Sequence, residues 1–288
     1  MFGRISYTWD LMRSSWNVLR QDKRLLIFPL LSGVCCVLVL ASFAVPIFMT
    51  QAWRPPSGTA AGVQKVMYYG TLFGYYFINY LVITFFNVAI VACAIERMRG
   101  GSPDLSFGFR EALARMHLIV GWALLSATVG LVLRVIEDRS KLIGKIVAGL
   151  LGVAWGVASY LVIPVLVVER KSPVAALKDS AALFTRTWGE RFAANFGFGA
   201  VMFFLAIPGL MIVGTGLYVG AADSNWPVGV ACITAGAIYF LILGVIHSAL
   251  TSIFQAALYL YASGSTAEIS SMPQGFPVEL LQRAMVAK

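Results

Sequence analysis

Charged side chains are scarce in this chain. Asp, Glu, Lys and Arg make up 12% of its 288 residues, whereas they make up roughly a quarter of an average soluble domain. Hydrophobic residues make up 59%, which excludes a soluble globular domain and a disordered segment. The formal net charge is +9, but the basic residues lie between apolar runs. We therefore expect a membrane protein with no nucleic-acid partner.

Residues that carry catalysis or hold metals are also few. The chain has two histidines and no Cys-x-x-Cys spacing, and its cysteines all lie inside apolar runs: Cys35, Cys36, Cys93 and Cys232. Cysteines in such runs behave as small hydrophobic residues, so we expect no disulfide, metal or cofactor. The sequence has no nucleophile elbow, zinc-protease motif or Walker loop. We therefore expect no enzyme, unless His117 and Glu111 meet in a cytoplasmic cleft as part of a lipid-modifying site.

Six apolar stretches are long enough to cross a bilayer, which takes about 20 residues of helix. They are residues 25–49, 66–95, 118–135, 143–168, 192–218 and 228–261. The runs are continuous and lack the alternation of a transmembrane barrel. They predict one all-α transmembrane domain of six spans in three hairpins, followed by a C-terminal tail over 262–288. We expect no cleaved signal peptide, because the first apolar run begins late and lacks a cleavage site.

The basic residues predict the orientation of the spans. If both termini are cytoplasmic, 16 of the 22 Lys and Arg residues lie inside, in agreement with the positive-inside rule. Most of the exceptions lie between the third and fourth spans, from Arg134 to Lys145. There Arg134 could pair with Glu137 or Asp138 on one helical face. A re-entrant hairpin that keeps this connection inside is the alternative.

The inner connections resemble each other and predict amphipathic helices. Glu96-Arg97 and Glu169-Arg170 follow two spans, and Ser102-Pro103 and Ser172-Pro173 then suit the start of a new helix. We expect interfacial helices at 103–116 and 173–190, and a third at 2–20, where apolar residues recur every three or four positions. The chain thus reads as three repeated units, each an interfacial helix and a hairpin, although charged amphipathic connectors occur in any multispan protein.

Two polar stripes within the spans are candidates for a binding site or pathway. One lies on the second span, with Asn79, Thr84 and Asn87, and the other on the sixth span, with His247, Thr251 and Gln255. If the stripes meet, they form a solvated pathway or ligand pocket. The alternative is that these groups form hydrogen bonds between helices and bind nothing.

Glycine pairs and prolines indicate how the spans pack. Gly70-x-x-x-Gly74, Gly152-x-x-x-Gly156 and Gly216-x-x-x-Gly220 allow helices to approach closely, and we expect packing within one chain rather than dimerisation. We expect prolines to interrupt or end helices at Pro46, Pro164 and Pro208. Pro164 and Pro208 indicate either a broken-helix site or simple kinks.

Basic residues at the ends of the spans are candidate contacts for anionic lipid headgroups, since such a residue gains about 1 kcal/mol near an anionic surface. They are Arg97, Arg99, Arg170, Lys171 and Arg191.

Two groups of motifs carry a family resemblance. One comprises residues 160–169, Ser172-Pro173, residues 176–184, Thr187-Trp188-Gly189-Glu190 and Asn195-Phe196-Gly197. The other comprises residues 16–20 and 28–31. Together they resemble a bacterial family of six-span membrane proteins of unknown function. The resemblance implies six helices and an inner-membrane location, and it implies no activity.

The sequence favours a non-enzymatic membrane protein that associates with itself or with partners and contacts anionic phospholipid. This expectation rests on the absence of charged residues from the middle of every span, the small-residue motifs and the basic amphipathic connectors. A channel or small-solute transporter with a polar path between spans two and six is the alternative. A lipid-modifying enzyme is a more distant one.

Overall fold

The computed structural model describes residues 15–20, 22–49, 61–139, 143–192, 197–222 and 225–263, and the regular elements in these ranges are all helical. Residues 15–20 are helical, and a 3-10 turn over Lys23–Leu26 follows them. The α-helices after this turn are α1 (Ile27–Met49), α2 (Ala61–Met98), α3 (Leu105–Ala114), α4 (Met116–Arg139), α5 (Ile143–Ala158), α6 (Val162–Val168), α7 (Pro173–Phe192), α8 (Gly197–Ala222) and α9 (Trp226–Ala262). Most of the predicted helix 2–20 and of the tail 262–288 lies outside the described residues.

Six segments of the described chain are helical, long and apolar enough to cross a membrane. They are Lys23–Val45, Gly62–Met98, Met116–Asp138, Ile143–Val168, Val201–Ala222 and Trp226–Leu260. The predictions of an all-α architecture and of six membrane-spanning stretches are thereby confirmed. The protein is a multi-pass membrane protein by this criterion.

The fourth predicted span consists of two helices rather than one. α5 ends at Ala158, and a turn over residues 159–161 separates it from α6. The buried Leu161 N–H donates to Ser180 Oγ of α7 at 3.0 Å, so a side chain from another helix replaces the missing helical partner. Pro164 follows in the first turn of α6, where a proline costs no helical hydrogen bond.

The other two prolines do not end their helices. α8 continues through Pro208 to Ala222, and α1 continues past Pro46 to Met49. The fifth predicted span also begins later than expected. Phe192 is the last residue of α7, and α8 starts at Gly197.

The core lies where α2 and α9 pack together near their C-terminal ends. Residues 88–95 of α2 are all buried, as are residues 256–260 of α9. α2 packs against α1, α3, α4, α6 and α9, and is therefore the central helix of the described chain. We call this part of the molecule, where α2, α6 and α9 all end, the connector end.

α8 and the first half of α9 pack closely through glycines. A Cβ on Gly216 would lie 2.8 Å from the Gly229 carbonyl oxygen, and one on Gly229 would lie 2.8 Å from the Gly216 oxygen. A Cβ on Gly220 would likewise lie 3.1 Å from the Trp226 ring. The prediction that Gly216 and Gly220 serve packing within one chain is confirmed.

The remaining glycine pairs pack loosely in the described chain. A Cβ on Gly70 or Gly156 would meet nothing within 4 Å. One on Gly74 would lie 3.8 Å from the Phe43 ring, and one on Gly152 would lie 4.0 Å from Leu133. These distances are ordinary contacts or open space, so the two pairs do not bring helices together as predicted.

Candidate functional site

The turn after α2 places Glu96 and Arg99 at the connector end. The Gly101 N–H donates to the Glu96 carbonyl at 3.0 Å, and the Gly100 N–H donates to the Arg97 carbonyl at 3.1 Å. These two bonds define a Schellman motif, in which the residue after the C-cap adopts a left-handed conformation. Gly100 is that residue, with φ of +87°, and glycine adopts this conformation without steric cost.

The turn after α6 places an arginine where the first turn has glycine. Glu169 caps α6, and Arg170 follows it with φ of +52°. A left-handed conformation costs a residue with a Cβ roughly 1–2 kcal/mol. The two Glu-Arg pairs are therefore not equivalent in structure. The residue that corresponds to Arg170 by its left-handed backbone is Gly100 rather than Arg97. Glu96 lies within its helix, whereas Glu169 follows its helix.

The helix predicted over residues 103–116 also begins differently from the prediction. The N-cap of α3 is Asp104 rather than Ser102, since the Asp104 carboxylate accepts from the Phe107 N–H at 2.8 Å. This bond, together with one from Ser106 Oγ, lowers the pKa of Asp104 below its ordinary value. The second Ser-Pro pair behaves as predicted, because α7 starts at Pro173.

Arg115 joins α3 to the end of α6 and forms one wall of the site. Its side chain is 6% exposed, and Nε and Nη2 donate to the Val167 carbonyl at 3.0 and 2.8 Å. Nη1 pairs with Glu111 Oε2 at 2.5 Å and also donates to the Glu111 carbonyl at 2.9 Å. A buried arginine requires such partners, and here they hold two elements together.

Glu169 connects the turn after α6 to α9 and α7. The Tyr259 hydroxyl donates to Glu169 Oε1 at 2.6 Å, and Lys171 Nζ lies 2.5 Å from Glu169 Oε2. Lys171 Nζ also lies 2.6 Å from Asp179 Oδ2. These bonds, that to Asp179 first and that to Glu169 second, raise the pKa of Lys171 above its ordinary value.

A half-open cleft of about 310 Å³ lies between these turns. Its walls come from α2 and the following turn, from α3, and from the end of α6. The lining residues are Ala92, Ile95, Glu96, Arg99, Phe107, Glu111, Arg115, Val167, Val168 and Arg170. Three arginines and two glutamates thus surround a space at the lower end of the volumes typical of ligand sites.

The structure divides the predicted lipid contacts into different environments. Arg99 and Arg170 line the cleft and are exposed. Arg97 donates to the Gly101 carbonyl at 3.2 Å, and Lys171 is held between two carboxylates. Arg191 belongs to α7, but its side chain lies outside the described residues. Of the four predicted contacts whose side chains the structure describes, Arg99 and Arg170 are brought together at the cleft.

Tyr76 and Tyr80, which neighbour the polar stripe on α2, contact α4. A Cβ on Gly130 of α4 would lie 3.5 Å from the Tyr76 ring and 3.8 Å from the Tyr80 ring. Thr84, one turn farther along α2, is buried, and Asn79 and Asn87 are half-buried.

On the α9 stripe, the Gln255 side chain is hydrogen-bonded to the Tyr160 hydroxyl. Tyr160 lies in the turn between α5 and α6. The other two predicted pathway residues differ from Gln255, because His247 Nδ1 and Thr251 Oγ1 are buried and have no hydrogen-bond partner among the described residues.

His117 and Glu111, the pair required by the lipid-modifying alternative, occupy different environments. Glu111 lines the cleft and pairs with Arg115. His117 is exposed on α4 and is not among the residues that line this cleft.

Residues 66–269 match a family described as a family of unknown function (DUF6159). The chain belongs to the DUF6159 family. This confirms the resemblance to a family of membrane proteins without known activity. No curated protein matches the chain. The matched range includes every residue that lines the cleft, and also Tyr259.

Sequence reasoning did not single out Glu96, Arg115 or Tyr259 as parts of a site in this DUF6159 chain. Arg115 and Glu111 did carry a signal, because their spacing of four residues suits an ion pair on a helix. Nothing in the sequence distinguished Arg115 from other connector arginines, because its burial depends on α6, which follows about 50 residues later.

Proposed function

We propose that this protein is a non-enzymatic membrane protein that binds an anionic phospholipid headgroup in the cleft at its connector end. The observation that carries the proposal is that Arg99 and Arg170 both line one cleft, each just after the end of a membrane-spanning segment. Arginine recognises phosphate through several N–H donors. A headgroup held there would keep its acyl chains beside the spans.

The backbone of Arg170 supports this assignment. A left-handed residue after a helix C-cap is usually glycine, and the turn after α2 does have Gly100 there. Strained conformations of this kind concentrate at functional sites. An arginine at this position is best explained by a role for its side chain, which lines the cleft.

The proposal includes a topology and an assembly. The connector end faces the cytoplasm of a bacterial inner membrane, both termini lie on that side, and the spans form three hairpins with interfacial helices α3 and α7 beneath them. Large apolar side chains on α8, such as Phe203, Phe204 and Met211, are mostly exposed and would contact lipid or a second copy of the chain. Self-association or partner binding would use these surfaces.

The test is native mass spectrometry of the protein released from nanodiscs of phosphatidylglycerol and phosphatidylcholine. We expect wild type to retain phosphatidylglycerol, and R99Q/R170Q to lose most of it. The control R110Q/K178Q removes two exposed positive charges from α3 and α7, outside the cleft lining, and should retain the lipid. Equal loss in both variants would contradict a specific site. The same spectra give the subunit number, and a monomer under all conditions would contradict self-association.

One observation favours the alternative of a channel or small-solute transporter. His247 Nδ1 and Thr251 Oγ1 are four residues apart on α9, and both are buried without a hydrogen-bond partner in the part of the chain that the structure describes. A buried polar group without a hydrogen bond is costly, so a solute or water chain that pairs with both atoms would be stabilised there. In this interpretation the α9 stripe lines a polar path.

The alternative is tested by solute flux into proteoliposomes. If His247 lines a pathway, H247A should change the flux and leave stability nearly intact. Unchanged flux with weakened folding would indicate that His247 contributes only to packing. Ser248, the next residue on α9, is half-buried, and S248A provides the control.

A further inference from the structure

The Glu96 side chain packs against the turn that follows α2. A Cβ on Gly101 would lie 2.5 Å from Glu96 Oε1 and 2.9 Å from Glu96 Cγ. The carboxylate therefore rests against the backbone of Gly101, in space that only glycine leaves open. Glu96 lies in the last turn of α2, and Arg99 follows the helix with its N–H still bonded to the Ile95 carbonyl at 3.0 Å. The helical spacing therefore places both residues on one side of the chain, and both line the cleft.

The charges around the cleft favour a ligand with one negative charge. Glu111 and Arg115 neutralise each other through an ion pair of 2.5 Å. The five charged lining residues, three arginines and two glutamates, carry a formal net charge of +1. A phosphodiester carries a single negative charge, whereas a phosphomonoester carries about −1.5 to −2 at pH 7. A zwitterionic headgroup carries no net charge.

We infer that Glu96 makes the cleft selective for a phosphodiester whose headgroup bears hydroxyl groups, such as phosphatidylglycerol. This inference rests on the proposed function, in which Arg99 and Arg170 hold the phosphate. An ionised carboxylate only accepts hydrogen bonds, so Glu96 binds the headgroup hydroxyls. It repels the additional negative charge of a phosphomonoester such as phosphatidic acid.

The ligand that fits the cleft is a membrane lipid rather than a free, water-soluble phosphodiester. It opens at the ends of two membrane-spanning segments, and its lining includes the apolar side chains of Ala92, Ile95, Phe107, Val167 and Val168. Of these, Phe107 is half-buried and Val168 is exposed, and a free headgroup would leave both in contact with water. A lipid would cover them with the glycerol backbone and the first carbons of its chains.

The experiment compares the lipids retained by four proteins from nanodiscs that contain phosphatidylglycerol, phosphatidic acid and phosphatidylethanolamine in equal amounts. The proteins are wild type, E96Q, G101A and the control G33A. G101A keeps every charge and displaces the flexible end of Glu96, whereas a Cβ on Gly33 meets nothing within 4 Å. Glycerophosphoglycerol is added in a parallel arm to compete as a free headgroup.

We expect wild type and G33A to retain phosphatidylglycerol over phosphatidic acid, with roughly a fivefold preference, the effect of about one charge near a surface. E96Q and G101A should lose this preference while they still retain anionic lipid. Glycerophosphoglycerol should not displace the lipid. If it does so at equal concentration, the ligand of the cleft is a free phosphodiester rather than a membrane lipid.

The outcomes distinguish a failure of headgroup selection by Glu96 from a failure of the proposed lipid site. If wild type retains both anionic lipids alike, or if E96Q keeps the preference, Glu96 does not select the headgroup. The lipid site itself still stands in that case, provided that R99Q/R170Q loses phosphatidylglycerol in the nanodisc experiment of the proposed function. If wild type retains no anionic lipid above phosphatidylethanolamine, both proposals are overturned.

Discussion

The Arg115 side chain binds the Val167 carbonyl from 52 residues away in the sequence, through Nε at 3.0 Å and Nη2 at 2.8 Å. The carbonyls of the last helical turn have no partner within their helix, and a positive charge near them is favourable. Arg115 therefore caps α6 and fixes it against the junction of α3 and α4. This contact gives the cleft one of its walls.

We predict that Arg115→Met lowers the free energy of unfolding by about 3 kcal/mol, because it leaves the Glu111 carboxylate and a buried carbonyl without their partner. Arg115→Lys keeps the charge but cannot bind both groups in the same geometry, and should cause a smaller loss. Denaturation of the purified protein in mixed micelles measures both values.

Arg110→Met is the matched control for this prediction. Arg110 is exposed on the same helix, and its guanidinium lies 5.7 Å from the centre of the Phe107 ring. An exposed cation–π contact contributes about 0.5–1 kcal/mol, so this variant should lose much less stability. Equal losses at positions 110 and 115 would show that burial of Arg115 has no energetic role.

Ser180 gives a second prediction, at the turn between α5 and α6. Its hydroxyl accepts from the Leu161 N–H at 3.0 Å, and both residues are fully buried. Ser180→Ala leaves that N–H without a partner and should cost about 1–3 kcal/mol in unfolding free energy. Thr185→Ala on the same helix removes an exposed hydroxyl that binds its own helix, and should change stability by less than about 0.5 kcal/mol. If the two variants unfold alike, the turn does not depend on Ser180.

The spans were predictable from the sequence because each depends on the summed free energy of transfer of about 20 consecutive residues into hydrocarbon. This sum is a local property of the sequence. The ion pair of Arg134 with Glu137 was predictable for the same reason. Their spacing of three residues places them on one helical face, and Arg134 Nη1 does lie 3.2 Å from Glu137 Oε2.

The break within the fourth span and the residues of the cleft were not predictable in this way. The break depends on Ser180, which comes from another helix, and hydropathy does not register a single hydrogen bond. The register of the two connector turns depends on which residue adopts a left-handed conformation. The recurring Glu-Arg pair suggested an equivalence that the backbone at Gly100 and Arg170 does not follow.

The N-cap of α3 gives a prediction on pH dependence. The pKa of Asp104 is lowered in the folded protein, so its carboxylate adds stability at pH values above the unfolded pKa of about 3.9. That stability is lost as the pH falls through the lower folded pKa. Asp104→Ala should therefore be less stable than wild type at pH 7, and the difference should shrink below about pH 4.

Thermal unfolding at several pH values tests this prediction. Asp104→Asn keeps an acceptor for the Phe107 N–H without a charge, and its stability relative to Asp104→Ala should not vary with pH. Ser102→Ala should match wild type throughout, because Ser102 is not the N-cap. If Ser102→Ala loses as much stability as Asp104→Ala, Ser102 is the N-cap, as the sequence suggested.

Two glycines of α8 allow the packing of the last two spans to be tested within one helix. A Cβ on Gly216 would lie 2.8 Å from the Gly229 oxygen, whereas one on Gly214 would meet nothing within 4 Å. Gly216→Ala forces the backbones apart and should cost about 1–3 kcal/mol. Gly214→Ala should instead gain up to about 1 kcal/mol, since alanine is the better helix former. Unfolding of both variants in the same micelles gives the two values, and a stabilising Gly216→Ala would mean that α8 and α9 are not held together by this contact.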